Sequence, residues 1–144
     1  KAGNYGAVIA KPVNPTRKGF VFAGWYKDAA LKTAWNFTSD KVTANTTLYG
    51  KWVVAKPTGL KATKASSTSI KVNWASVNGV SGYEIVRATA SDFNGKTTKT
   101  TTTGTYTATG LVKGKTYYFK VRAYTLVGKV KVYSDFTTVV KYKL

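Results

Sequence analysis

Tyr118, Lys120, Arg122 and Tyr124 fall on alternate positions of one short run, and Lys131 and Tyr133 follow in the next. Cations interleaved with flat rings suit an anionic polymer, because the cations meet its charge while the rings stack on sugars or bases. The same residue types are also ordinary on an exposed strand, where Tyr is favoured and Lys keeps an edge soluble. A second aromatic set, Trp25-Tyr26, Trp35 and Trp52, could stack on glycans. A small domain needs large rings to build any core, so most of these read as buried, with Tyr26 the one left exposed.

Other chemistry has few side chains to work with. The chain holds no Cys and no His, which removes thiol chemistry, disulfides, the commonest general base and the commonest metal ligands. Its five carboxylates, Asp28, Asp40, Glu84, Asp92 and Asp135, are scattered, with no spacing that makes a catalytic pair or a cation cage. Catalysis, metal binding and a cofactor are therefore not expected.

The net charge is +18. Residues 1–55 carry eight Lys/Arg against two acids, and the remainder fifteen against three, so the excess is spread and forms no polybasic tail. Such a charge draws anionic partners by long-range attraction and says nothing about fold. No run of 18 apolar residues is present, so no membrane-spanning helix is expected. No recognition helix or nucleic-acid motif appears, which argues against specific nucleic-acid binding. The chain opens at Lys1 in mid-pattern, which reads as a monomeric fragment of something longer.

The candidate row is positioned by Leu111–Tyr124, LVKGKTYYFKVRAY. Tyr117, Phe119, Val121 and Ala123 alternate with the candidate residues, and a side-chain period of two means one buried face and one wet face. Leu111-Val112-Lys113-Gly114 reads as a tight corner feeding this strand, with the Tyr117 hydroxyl bonded back to nearby backbone. Upstream, Ser69–Ala75 turns Ile70, Val72 and Trp74 inward, and Tyr83 and Ile85 enter a further strand. Lys96–Thr103 is Thr-rich and strand-like, Tyr106 and Ala108 start another strand, and Val130–Tyr142 closes the sheet. Strands recurring this regularly between turn signals predict an all-β sandwich, with Trp74 as its anchor.

The first third is less regular. A short strand is expected at Ala7–Lys11, then a proline-fixed segment through Pro12 and Pro15. A strand over Gly19–Tyr26 is broken by Gly24 at a turn or bulge, and Thr47–Val53 forms the last strand. Asp28–Lys32 is the one plausible helical turn, with Asp28 as its N-cap.

Two resemblances rest on these residues. Pro12-x-x-Pro15-Thr16-Arg17-x-Gly19-Phe20-x-Phe22-x-Gly24-Trp25-Tyr26, Trp35-x-Phe37 and Thr47-Leu48-Tyr49-x-Lys51-Trp52 resemble the Listeria–Bacteroides repeat, the small β-grasp-like unit of internalin B-repeats. Members of that family carry another strand ahead of the position of Gly6, which is absent here or reduced to Lys1–Tyr5. Pro57-x-x-Leu60, Ile70-x-Val72-x-Trp74, Gly82-Tyr83-x-Ile85, Leu111 and Tyr117-x-Phe119-x-Val121-x-Ala123 resemble a fibronectin type III domain, with Lys113 where that family usually has proline. The resemblances imply a mainly β chain: a repeat module over 1–53 and an immunoglobulin-like sandwich over 54–144. They imply structural, spacer or adhesion modules of a secreted or surface-exposed bacterial protein, touching protein or polysaccharide at the cell envelope or a host surface. The alternatives are a binding module for teichoic acid, acidic polysaccharide or glycosaminoglycan, and an accessory C-terminal region of a secreted enzyme.

Overall fold

A computed structural model describes residues 4–144, which divide into one compact unit ending at Val53 and another running from Val54 to Leu144. In the first unit, β1 (Val21–Tyr26) pairs antiparallel with β2 (Tyr49–Val53). The register slips between Phe22 and Gly24, where Gly24 takes φ 125°. This bulge brings Phe22 and Trp25 to one side of the pair, their rings 5.1 Å apart edge to face, and Phe22 meets Trp52 at 5.3 Å. A Cβ on Gly50 would lie 3.1 Å from the Phe22 ring, so glycine at that position is what lets the rings close over the strand. Trp35 is buried beside them, its backbone N–H donating to the Trp25 carbonyl at 2.8 Å.

Two expectations for this unit are corrected. Ala7–Lys11 is not a strand: the backbone at Gly6 and Ala7 exchanges hydrogen bonds with Val42, and Pro12 and Pro15, lacking N–H groups, do not extend the pairing. Asp28–Lys32 is a turn and not helical, because Leu31 sits at φ 55°, outside the right-handed helical region. Asp28 still caps it, accepting the N–H groups of Lys32 at 3.1 Å and Thr33 at 2.8 Å. These bonds hold its carboxyl below the usual value. Of the expected missing strand, Lys1–Gly3 lie outside the described residues, and Tyr5-Gly6 form a turn.

The second unit is a β-sandwich. One sheet orders β3 (Thr58–Ser66), β4 (Ser69–Ala75) and β7 (Thr105–Ala108). The other orders β10 (Val140–Lys143), β8 (Thr116–Val127), β5 (Gly82–Ala88) and β6 (Thr97–Thr101), with β9 (Val130–Tyr133) also paired to β8. The inward set is the expected one. Trp74, Tyr83, Ile85, Leu111, Tyr117, Phe119 and Val121 are all buried. Trp74 and Tyr83 meet edge to face at 5.3 Å, and the Tyr83 hydroxyl accepts the Val77 N–H at 2.7 Å. The Tyr117 hydroxyl accepts the Val112 N–H at 2.9 Å, closing the corner before β8.

The closing strand is not continuous, as had been expected of Val130–Tyr142. Residues 134–139 break the strand between β9 and β10, yet they stay tied to β8. The N–H groups of Ser134 and Thr137 donate to the carbonyls of Ala123 and Val121. In return the Ala123 and Val121 N–H groups donate to the hydroxyls of Ser134, at 2.9 Å, and Thr137, at 3.1 Å. Two side-chain hydroxyls thus stand in for carbonyls that an unbroken strand would supply. The detour carries Phe136 onto the outer face of the sheet.

Two substitutions test this framework by chemical denaturation. Trp74→Ala should cost about 3–5 kcal/mol, as for other large-to-small changes of a buried ring. Tyr117→Phe should cost about 1–3 kcal/mol, because it strands the Val112 N–H without its acceptor while leaving the ring in place. A loss under half a kilocalorie, roughly the level of a neutral surface change, would show that the corner is ornamental.

Candidate functional site

The candidate row lies on the outer face of the sheet built around β8. Antiparallel register sets Ala88 opposite Tyr118, Val86 opposite Lys120, Glu84 opposite Arg122 and Gly82 opposite Tyr124, while Tyr133 of β9 faces Tyr124 from the other side. All six candidate residues therefore converge on one surface. The expectation that they stand open to solvent is corrected. Tyr118, Lys120, Arg122 and Tyr133 are half-buried, Tyr124 is only 9% exposed, and Lys131 alone is exposed.

The physical reason is that two rings from outside the strands lie across the row. Phe93 packs with Val86 and Ala88 into a small second core, against which Tyr118 and Phe136 rest. The Lys120 ammonium stands between the two phenyl rings, 4.2 Å from the Phe93 centroid and 4.6 Å from that of Phe136. The Arg122 guanidinium follows, 4.6 Å from the Phe136 centroid and 3.7 Å from that of Tyr133. Beyond it Tyr133 meets Tyr124 edge to face at 6.0 Å, and Lys131 lies 4.4 Å over the Tyr124 ring. Cations and rings alternate along the whole face, each cation seated on the negative face of a π-system.

Glu84 sits in this ladder. Its Oε1 accepts from Arg122 Nε at 2.8 Å and pairs with Nη2 at 2.6 Å, and its Oε2 accepts the Tyr133 hydroxyl at 3.1 Å. Burial, the Glu84 charge and this hydrogen bond together push the Tyr133 hydroxyl above the usual tyrosine value of 10.0. Gly82 is required by the same packing, since a Cβ there would lie 2.7 Å from the Tyr124 hydroxyl oxygen.

Phe93 and Phe136 were not among the residues singled out from sequence. Phe136 lies inside the expected Val130–Tyr142 strand, whose break leaves no mark in the sequence. Phe93 had a signal: a large ring in the middle of Ser91-Asp92-Phe93-Asn94-Gly95, an otherwise polar turn. Its φ of 61° is uncommon for an aromatic residue, and it is this backbone that lays the ring over β5. In the first unit, Tyr26 is half-buried with Lys51 at 5.0 Å over its ring, and Trp25 and Trp52 are likewise half-buried. Among the described residues no group of His, Cys, Asp or Glu could hold a metal ion. No helix of the described residues is long and apolar enough to cross a membrane.

A double-mutant cycle on Glu84→Ala and Arg122→Ala should return a coupling of about 1–2 kcal/mol, above the range of exposed pairs because two donors share one half-buried carboxylate. The Tyr133 hydroxyl gives a pH signature of definite sign. Its raised folded value contributes stability that is full below the ordinary value of 10.0 and is lost as pH climbs through the higher folded value. Wild type should therefore lose stability more steeply than Tyr133→Phe as pH rises from 10.0 toward the higher folded value, in denaturation series run on both; parallel curves over that window would contradict the assignment.

Residues 2–51 match the sequence model of the Listeria-Bacteroides repeat domain, and residues 55–140 that of the fibronectin type III domain. A putative Gly-rich membrane protein of Evansella cellulosilytica is 46% identical over 50 residues, 35% of this chain and 6% of that protein. Internalin H of Listeria monocytogenes is 32% identical over 71 residues, 49% of this chain and 13% of its own length. A poly(3-hydroxybutyrate) depolymerase of Ralstonia pickettii is 37% identical over 67 residues, 46% of this chain and 12% of its length. The chain thus matches only a small part of each of these relatives. Among solved structures, the fibronectin type III domain of human collagen alpha-1(XX) superposes with a TM-score of 0.52 at 17% identity, covering 62% of this chain and 83% of that one. A structure described as a myokine gives 0.51 at 20% identity, covering 60% and 93%. These likenesses agree with the sandwich, and the matched residues give the family: the chain belongs to the fibronectin type III domain family, its sandwich preceded by a Listeria-Bacteroides repeat.

Proposed function

We propose that residues 1–53 and 54–144 serve as two non-catalytic modules, spacer or adhesion elements of a secreted or surface-exposed bacterial protein. The observation that carries this reading is the ladder on the outer face. Its cations and rings are spent on one another and on Glu84, so the surface best suited to chemistry is instead a second layer of packing. The carboxylates support the same reading. Asp28 caps a turn, Asp40 binds Lys27 and the Asn36 N–H, and Glu84 anchors Arg122. Both families and the likeness to internalin H are consistent with surface or secreted modules. The likeness to a depolymerase fits a chain that also serves as an accessory region beside a catalytic domain.

The competing reading is a specific site for acidic polysaccharide or teichoic acid on the ladder face, favoured by the +18 charge and by exposed Lys131. Retention on a heparin column separates the two. If the modules are spacers, Lys120→Ala/Arg122→Ala and Lys61→Ala/Lys64→Ala should shift elution to lower salt by similar amounts, since only charge number matters. A loss confined to the Lys120/Arg122 variant, with its fold intact by circular dichroism, would overturn the spacer reading in favour of a polyanion site.

A further inference from the structure

β8 outruns its neighbour. Its pairing with β5 ends at Gly82 opposite Tyr124, so Thr125, Leu126 and Val127 continue beyond the sheet with β9 as their strand partner. The resulting hairpin tip is unusually apolar for its exposure: Leu126 is 48% exposed, Val127 44%, Val130 67% and Val132 37%. Register places them in an ordered way. Val127 is opposite Val130, and Val132 is opposite Thr125, so the three valines share one face; Leu126 is opposite Lys131 on the other. That valine face continues the inward side of β8, whose Phe119, Val121 and Ala123 are fully buried in the sandwich. Core-type side chains thus run on past the sheet that covers them.

The charge on the hairpin itself has one sign. Lys129 and Lys131 are exposed on the hairpin, and the sequence holds no carboxylate between Asp92 and Asp135. Glu84, on the adjacent strand, is already held by Arg122 and Tyr133. An apolar face bordered by two exposed lysines, neither of them in an ion pair, is complementary to a partner presenting anions at its surface and an apolar phase just beneath. The tip's three residue pairs span about 10 Å at strand rise, which matches the roughly 5–10 Å that interfacial elements bury at the headgroup–acyl boundary.

We propose that the β8–β9 hairpin tip, Leu126–Val132, docks on an anionic lipid surface, its valines entering the interface. Lys129 and Lys131 reach the phosphates on their flexible stems. Neither the aliphatics nor the two lysines suffice alone, so attachment is weak, reversible and dependent on both.

Co-sedimentation of the full chain with phosphatidylglycerol and phosphatidylcholine vesicles tests this. Binding is expected on phosphatidylglycerol and not on phosphatidylcholine. V127S/V130S and K129Q/K131Q should each reduce partitioning about tenfold, and K61Q/K64Q, which removes the same charge from β3, less than about threefold. Equal losses from the two lysine pairs, or no loss from V127S/V130S, would reduce the effect to net charge and overturn the proposal. A single V130C variant, simple to label because the chain has no other Cys, carries a polarity-sensitive fluorophore whose emission should move to the blue on phosphatidylglycerol. An unmoved spectrum there would refute insertion even if sedimentation succeeds. Sedimentation equilibrium closes the alternative: a dimer abolished by V127S/V130S would make a second copy the occupant, against the proposal.

Discussion

The backbone of β8 is hydrogen-bonded along both edges, and the larger sheet is assembled on that constraint. One edge takes β5 from Tyr118 to Tyr124. The other is shared in sequence by β10 over Thr116–Phe119, by Ser134 and Thr137 at Ala123 and Val121, and by β9 over Tyr124–Val127. A strand paired on both sides cannot slip by one residue without exchanging its faces. Here the exchange would bring Lys120 and Arg122 inward and expel Phe119 and Val121, so register is fixed by the cost of burying unpaired cations.

That the outer face is also packed follows from the same strand. Val86 and Ala88 of β5 are apolar on the side expected to be wet, and water-exposed aliphatics beside β8 invite cover. Phe93 and Phe136 supply it. The cover creates a second problem, since Lys120 and Arg122 now lose part of their hydration. The rings themselves offset that loss, because a cation over an aromatic face recovers electrostatic stabilisation that a plain aliphatic lid would not give. Glu84 completes the arrangement for Arg122, whose planar fork can reach one carboxylate oxygen through two nitrogens while its face stays against Tyr133. The left-handed backbone at Phe93 is a local cost that this packing tolerates.

Much of what depends on period and turn chemistry was legible in the sequence, though the turn at Asp28–Lys32 read as helical. The alternation at Ser69–Ala75 and Tyr117–Ala123, the corner at Tyr117 and the irregularity at Gly24 all appear in the structure as read. What was not legible depends on contacts distant in sequence. The outward half of β8 looks solvent-exposed because period two reports only that a second face exists, and says nothing of what folds over it. Ser134 and Thr137 read as strand residues because a hydroxyl that replaces a carbonyl leaves no trace in hydropathy. Ala7–Lys11 failed as a strand for the opposite reason: its local pattern fits, but the two prolines that follow deny it a continuing partner.

Charge alone therefore locates nothing on this chain. With 23 cations and five carboxylates, most of the surface attracts anions to a similar degree, and a long-range field of one sign carries no address. An address needs a second property that varies from place to place, and here that property is the state of the neighbouring apolar surface. On the ladder face the rings already lie against half-buried Lys120 and Arg122, so a ligand would have to displace contacts that the fold has made. At the end of β8 the valines have outrun their cover. The outer face and the tip of one strand thus carry the same charge with opposite degrees of completion, which is what singles out the tip.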